Sequence, residues 1–538
     1  MQSDHEDQHV QTQRSDFEAT HASVSHRSGR YFLPVAIIYA LGAVWTVCAY
    51  RDRINPDGVC YISIAQKYLT GDFWTAINAY WSPLYSWLLA PFLLSGMAPT
   101  HATMVLGTLI GLATVIASWK LAENLRFRES SRIALCLTLT PIALYLASNV
   151  ISPDLLAAAV ILFYLAHLTK PDYLDRRFSG VISGVVGAIG YLAKAYLFWF
   201  FLVHFLTVCV WWLCVRKDSR RRAMAIAATA LVTFFFVAAI WVIPLSHKYH
   251  RLMTSSAGSY NQAYSGPALP RLPMFTQGLI PPSNSTAISA YEELTKLPTP
   301  TWNPLATTAG LKYELGLIVS NTRGIFGFLQ WYSALSIAIL GISVFLAGTN
   351  LDPKPHRPLS LLMLAVVIYP LGYLPLHVET RFLSPMVFLL LLLGIFFIEM
   401  LPVNRIGRFR RLMLIIFVCV TFLRSPVRSI WRYRGAEREV HDHALQLASM
   451  VPKGSRVASD GHCNDTLFLA FHDGWAYFGQ TKPDATADIY ADLKRHRIQF
   501  FCVWEDPQSY PFMKDWRRIP SPGFGDPQVY AVPQENSQ

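Results

Sequence analysis

The sequence predicts a mainly α, polytopic membrane protein with about eleven transmembrane helices and a small C-terminal α/β extracytoplasmic domain. Three observations lead there. Only 15% of the 538 residues are charged and 53% are hydrophobic, whereas a soluble chain carries roughly 25% charged residues. Apolar runs recur at 31–50, 100–121, 133–147, 155–168, 180–193, 196–215, 223–243, 326–347, 359–376, 382–401 and 412–423. Runs of about 17 to 25 residues reach across the hydrocarbon layer. Basic residues cluster in alternate short loops, among them Arg126, Arg128 and Arg132, then Lys170, Arg176 and Arg177, then Arg216 to Arg222, then Arg405 to Arg411. That asymmetry keeps Lys and Arg in the cytoplasm. It also places the net charge of +12 at the membrane and argues against a nucleic-acid partner.

Taken in order, residues 1–30 are polar and rich in Ser, His and Gln, a composition that suits a disordered cytoplasmic tail. The first apolar run has no small-residue cleavage site close behind it, so it reads as a retained span. Residues 31–425 form the membrane domain, with outer loops at 51–99 and 246–325. The second loop is rich in Pro, Ser, Thr and Gly and is too long for a passive connector. Residues 436–538 read as the α/β domain. "EREVHDHALQLASMV" has helical periodicity, and "SRVASD" and "IQFFCVWE" suit short strands. Arg424, Arg428, Arg432, Arg434 and Arg438 then fall outside, against the charge rule, but long domains translocate regardless of charge. Cys463 and Cys502 also face outward; they could pair, although spacing alone does not establish a bridge. No CxxC or His/Cys cluster suggests a metal site.

With basic loops inside, Asp57, Asp154, Lys194, Glu379 and Arg381 all lie at the outer ends of helices. Ionisable groups beside the apolar zone are costly and usually functional. Asn55-Pro56-Asp57 reads as a helix start, and Ser152-Pro153-Asp154 repeats the pattern, so both Asp residues also suit capping. The functional alternative makes Asp57 a general base, its pKa pushed toward neutrality by low-dielectric surroundings. Asp57, Tyr61, Ile64 and Tyr68 share one helical face. Trp81 and Tyr85, in "AYWSPLYSWLLAPF", suit an interfacial aromatic belt or a platform on which a sugar ring stacks. Lys194 suits either a snorkelling side chain or a phosphate ligand. Glu379 and Arg381 can neutralise one another, or Arg381 can clamp phosphate in a bidentate way.

These segments resemble the GT-C membrane glycosyltransferases, in the branch of the protein O-mannosyltransferases and the aminoarabinose lipid A transferases. The likeness rests on "PDGVCYISIAQKYLTGDFW…WSPLYSWLLAPF", "SPDLLAAAVILF", "GYLAKAYLF" and "ETRFLSPMVFLLLLL", and it spans most of 31–400. The resemblance implies a polyprenyl-phosphate-linked sugar as donor, with transfer to an acceptor hydroxyl on the outer face and inversion at the anomeric carbon. By position it makes Asp57 the candidate base and Asp154 a second acidic residue of the pocket. It sets Lys194 for the donor phosphate and Arg381 at the start of a late span. Many members carry two adjacent acidic residues in the first loop. Here Asp57 is followed by Gly58, so no metal ligand is assigned and a requirement for a divalent cation stays open.

The expected protein is an inverting glycosyltransferase of a bacterial inner membrane, N-terminus cytoplasmic, with membrane lipid as a further partner. The acceptor (protein, lipid or polysaccharide) is undetermined. A secondary transporter or flippase of lipid-linked sugars would need polar groups near mid-membrane and broken helices in matching halves. A non-catalytic assembly protein would keep the fold without needing Asp57.

Overall fold

The computed structural model describes residues 31–215, 219–268, 278–297, 299–349, 358–401, 406–482, 489–520 and 527–534. The expected tail 1–30 and part of the basic loops, including Arg216, Lys217, Lys354, Arg357 and Arg405, lie outside them. The chain begins with α1 (Tyr31–Ala49). A layer of shorter helices follows, made of α2 (Pro56–Leu69), α3 (Phe73–Ala76) and α4 (Pro83–Leu94). The membrane helices continue with α5 (Pro99–Asn124), α6 (Glu129–Asn149), α7 (Asp154–Leu168), α8 (Ser179–Ala193), α9 (Tyr196–Val215) and α10 (Arg220–Lys248). After the second loop, which carries α11 (Ala257–Ser265), come α12 (Thr308–Tyr332), α13 (Leu335–Thr349), α14 (Pro358–Leu371), α15 (Ser384–Glu399) and α16 (Arg408–Arg432). Among the described residues seven helices are long and apolar enough to cross a membrane, and α7, α8 and α14 are shorter apolar helices.

One expected span takes a different form. The run at 326–347 is not a single rod: α12 and α13 are bent by 116° at Ser333. Ser333 leaves the helix in an extended conformation, and its hydroxyl accepts from the Leu335 backbone N–H at 3.2 Å to start the next helix. Helix α12 also begins at Thr308, inside the expected loop, because Thr307 caps it by accepting from Gly310 N–H at 3.0 Å. The polar Lys312, Glu314, Asn321 and Arg323 hide that start from a hydropathy reading.

Glycines allow the tightest helix pairing. A Cβ at Gly184 would lie 2.3 Å from the Ala230 carbonyl oxygen, and one at Gly180 would lie 2.6 Å from that of Ile226. Helix α8 therefore meets α10 backbone to backbone, the small-residue packing that serves where no hydrophobic force acts between helices.

The C-terminal domain adds α17 (Arg438–Leu447), α18 (Cys463–Asp473) and α19 (Ile489–Arg495) to a five-stranded mixed sheet. Its strands are β1 (Arg456–Ser459), β2 (Ala476–Gln480), β3 (Phe500–Val503), β4 (Arg518–Ile519) and β5 (Gln528–Ala531), in the order β2-β1-β3-β5-β4. The β1 pairings to β2 and β3 are parallel, and the β5 pairings to β3 and β4 are antiparallel. The expected helix and two strands fall at α17, β1 and β3. Cys463 and Cys502 are both buried and unbonded. The edge of β2 holds the second outer loop: Ile280 N–H donates to Phe478 O at 2.8 Å, and Tyr477 N–H donates to Ile288 O at 2.7 Å. That loop is thereby pressed down on α2.

Candidate functional site

Three helix ends meet at one place, and each carries the charge that its dipole favours. Asp57 lies in the first turn of α2, behind Pro56 at the first helical position. Asp154 is the first residue of α7. Lys194 caps the C-terminal end of α8. A 3₁₀ turn at Thr380–Leu383, just before α15, delivers Arg381.

Arg381 is the hub. Its Nη1 donates to Asp57 Oδ2 at 2.6 Å, and its Nε donates to Glu379 Oε2 at 2.7 Å and lies 3.7 Å from Asp154 Oδ2. Lys194 Nζ pairs with the other oxygen of Asp154. His377 Nε2 lies 3.3 Å from Glu379 Oε1. The structure thus brings all five sequence-predicted charged residues into one connected network. Three carboxylates share two cations. Burial pushes the Asp57 carboxyl above its usual range, against the pull of Arg381. Burial also works against the charge of Glu379, but His377 and Arg381 outweigh it and hold that carboxyl at about 2.

Lys194 does not snorkel away. Its ammonium lies 4.1 Å from the centre of the Phe382 ring and 5.4 Å from that of Tyr373. Tyr373 is itself sandwiched, with Tyr196 stacked at 4.1 Å and Phe382 at 5.1 Å. Cation–π attraction and the Asp154 pairing hold the ammonium beside Asp154.

The caps work differently from the sequence expectation. Asn55 makes no side-chain cap. Its Oδ1 accepts from Ile151 N–H at 2.8 Å and its Nδ2 donates to Ile151 O at 3.4 Å, stitching the two acidic turns together. Gly58 makes this join tight: a Cβ there would lie 3.0 Å from Ile151 Cβ, so Ile151 would have to give way. Ser152 donates to Asp154 Oδ2 at 2.8 Å and so aims that carboxylate.

Tyr61, Trp81 and Tyr85 do come together, with Tyr61 centred 5.2 Å from each of the others. Stacking on a sugar is not what they are placed for. Trp81 is 4% exposed and Tyr85 2% exposed, and Trp81 Nε1 donates to Glu292 O at 3.1 Å. They are buried packing beside the charged network.

Tyr291, unassigned by sequence reasoning, lies over the site. Its hydroxyl donates to Asp57 Oδ1 at 3.4 Å, and its ring lies 5.5 Å from Trp81. It arrives on the second outer loop, where no periodicity marks it; the one local signal is "YEELTK", a paired acid in a neutral stretch. Glu292 and Glu293 lock that loop in place. Glu292 pairs with buried Lys67 and accepts from Ser63 at 2.6 Å. Glu293 accepts from Tyr249 at 2.8 Å and lies 3.4 Å from Lys248. Among the described residues no group of three or more His, Cys, Asp or Glu side chains is arranged to hold a metal ion.

This architecture has close counterparts among solved structures. ArnT from Cupriavidus metallidurans in the apo state superposes with a TM-score of 0.54 at 13% identity, over 92% of this chain and 97% of that one. The fold is GT-C. ArnT bound to undecaprenyl phosphate gives a TM-score of 0.55 at 13% identity over 92% of this chain and 98% of its own length. The oligosaccharyltransferase of Archaeoglobus fulgidus in its apo form gives 0.55 at 11% identity, over 87% of this chain and 69% of that one. No family model and no curated sequence matches the chain. The fold expected from the sequence segments, membrane helices with a small appended domain, is the one these solved structures share at 11–13% identity.

Proposed function

We propose that this protein is an inverting glycosyltransferase that moves a sugar from a polyprenyl-phosphate donor to an acceptor hydroxyl. Its membrane would be the inner membrane of a bacterium, with the N-terminus cytoplasmic and the Asp57 pocket at the outer face. The observation that carries the reading is Arg381, shared by Asp57, Asp154 and Glu379 within 3.7 Å and joined through Asp154 to Lys194. A guanidinium surrounded by excess carboxylate can hand part of its fork to a phosphate, because the carboxylates left behind still share Lys194 and the remaining N–H groups. One protein of the same fold is bound to undecaprenyl phosphate, which supports a lipid phosphate as the anion.

Donor phosphate takes Arg381 and Lys194. Asp57 loses its counter-cation and becomes more basic, so the base is released only when donor is present. Asp57 accepts the acceptor's hydroxyl proton as that oxygen attacks the anomeric carbon. The bond from that carbon to the phosphate oxygen breaks, and the polyprenyl phosphate leaves with the electron pair, its charge met by Arg381 and Lys194. Tyr291 orients Asp57. Glu379, held ionised by His377 and Arg381, keeps the guanidinium plane in register.

The test is transfer of labelled sugar from polyprenyl-phosphate carriers in membranes, native chain against Asp57→Asn, with donor binding measured separately. The expected result is retained donor binding with turnover lowered about 10²- to 10⁴-fold, the usual range for loss of a general base. Equal turnover would return Asp57 to a capping role and move the base to Asp154. Donor binding without turnover in the native chain would favour the transporter or assembly readings.

A further inference from the structure

A second cavity lies at the opposite end of the same helices. Asp154, at the start of α7, belongs to the outer pocket; His167, thirteen residues on in the same helix, lines the second cavity. At 1.5 Å per residue the two are about 20 Å apart. The cavity has a volume of about 520 Å³ along α7, between the last turns of α5 and the Ile182–Ile189 stretch of α8. Its walls are Val160, Phe163, Ile182, Val186 and Ile189, all partly exposed. Its polar lining is Lys120, Lys170, His167, Asn124 and the Glu123 carboxylate.

Two independent features define what fits. The first is charge. The acids near this end are committed to arginines: Glu123 to Arg132 at 3.2 Å, Asp172 to Arg176 at 2.5 Å and Asp175 to Arg222 at 2.5 Å. His167 is engaged with Ser179 O at 3.1 Å. Among the described residues neither Lys120 nor Lys170 forms an ion pair, so two ammonium groups at one end of an apolar trough await an anion. The second is length. Helices α7 and α8 have 15 residues each, about 22 Å, against a hydrocarbon layer of about 30 Å. Short spans draw headgroups inward, and here they would draw them to the two lysines.

We propose that the trough between α5, α7 and α8 binds an anionic phospholipid, its headgroup phosphate held by Lys120 and Lys170 and its acyl chains lying along Val160, Phe163, Ile182, Val186 and Ile189. Basic pockets between membrane helices recognise lipid phosphates in this way. The occupant is a two-chain lipid, because the apolar walls extend from the lysines toward mid-membrane.

The test uses the full chain in nanodiscs with phosphatidylglycerol that carries a photoreactive group in one acyl chain, the label being mapped by peptide. Labelling should concentrate in 160–189 and exceed that by the matching phosphatidylcholine probe. At about 1 kcal/mol per lysine, the Lys120→Gln/Lys170→Gln variant should need roughly 30-fold more phosphatidylglycerol for half-maximal labelling. Val186→Trp, which fills the trough and leaves both charges, should lower labelling as well. Raising salt should weaken the preference in the unaltered chain, which keeps the proposal testable if a variant fails to fold. Equal labelling by the two lipids, or labelling unaffected by either variant, would overturn the proposal. So would competition by soluble glycerol phosphate at the strength of the lipid, or by polyprenyl phosphate at far lower concentration than phosphatidylglycerol.

Discussion

Two ionic clusters flank α2 of this protein, and they are built to opposite rules. Around Glu292 charges match one to one: Lys67 and Glu292 are 3% and 4% exposed, and the remaining carboxylate valence is filled by Ser63 at 2.6 Å and Asn284 at 3.3 Å. Around Arg381 three carboxylates compete for two cations, and the side chains of Arg381 and Asp57 are 17% and 15% exposed. A closed, matched pair has nothing to exchange. An over-subscribed, partly exposed cation can change partners without any charge being stranded. Both clusters bury charge, so burial alone does not separate them; stoichiometry and access do.

The largest expected effect falls on the open cluster. Asp57→Asn should lower sugar transfer about 10²- to 10⁴-fold while the thermal midpoint of the purified protein barely moves. A collapsed midpoint with normal turnover per folded molecule would erase the distinction between the clusters. Lys67→Met should do the reverse. It strands the buried Glu292 carboxylate at a cost of about 3 to 5 kcal/mol, read as a lowered unfolding midpoint, with transfer by the folded fraction little changed.

Acidity sharpens the same contrast. The Asp57 carboxyl is raised by burial, so its basic form is lost as pH falls through a value above the ordinary ~3.9. Transfer rate should therefore show an acid limb centred above that value, and Asp57→Asn should abolish the limb along with most of the rate. Glu379, held at about 2, contributes nothing to that limb. A limb of unchanged position in Asp57→Asn would assign the titration elsewhere.

The smallest effect belongs to a third carboxylate outside both clusters. Asp473 closes α18; its Oδ2 has no hydrogen-bond partner, and burial pushes it up to about 7 against the pull of Lys453. The folded chain then holds a proton that the unfolded chain releases between about pH 4 and pH 7, so stability falls as pH rises through that window and stays low above it. Asp473→Asn should raise the unfolding midpoint at pH 8 by the equivalent of about 1 to 3 kcal/mol and leave it unchanged at pH 4. A destabilised variant at pH 8 would mean that Asp473 is paired after all.

How much of this was legible in the sequence follows from what each feature depends on. Apolar length and the exclusion of charge from lipid are local and additive, so the spans, the amphipathic α2 and the common depth of Asp57, Asp154, Lys194, Glu379 and Arg381 can be read residue by residue. Helix starts at Pro56 and Asp154 were legible for the same reason. The work of Asn55 was not, because its side chain is used 96 residues away on Ile151. Nor was the bend at Ser333, where one hydroxyl decides between a straight rod and a corner. Trp81 and Tyr85 carry an aromatic signal common to binding platforms and packed floors, and only burial separates the two.

The sequence by itself determined that this is a multi-pass membrane protein with five charges gathered at one depth, because the bilayer imposes that order on any chain with this hydropathy. Tertiary structure alone decided that Arg381 reaches Asp57 across 324 residues, that Tyr291 descends on the same carboxylate, and that Lys67 is closed off while Lys194 is not. Those outcomes depend on how helix ends are brought side by side, and pairing between distant segments is set by packing that no local pattern encodes.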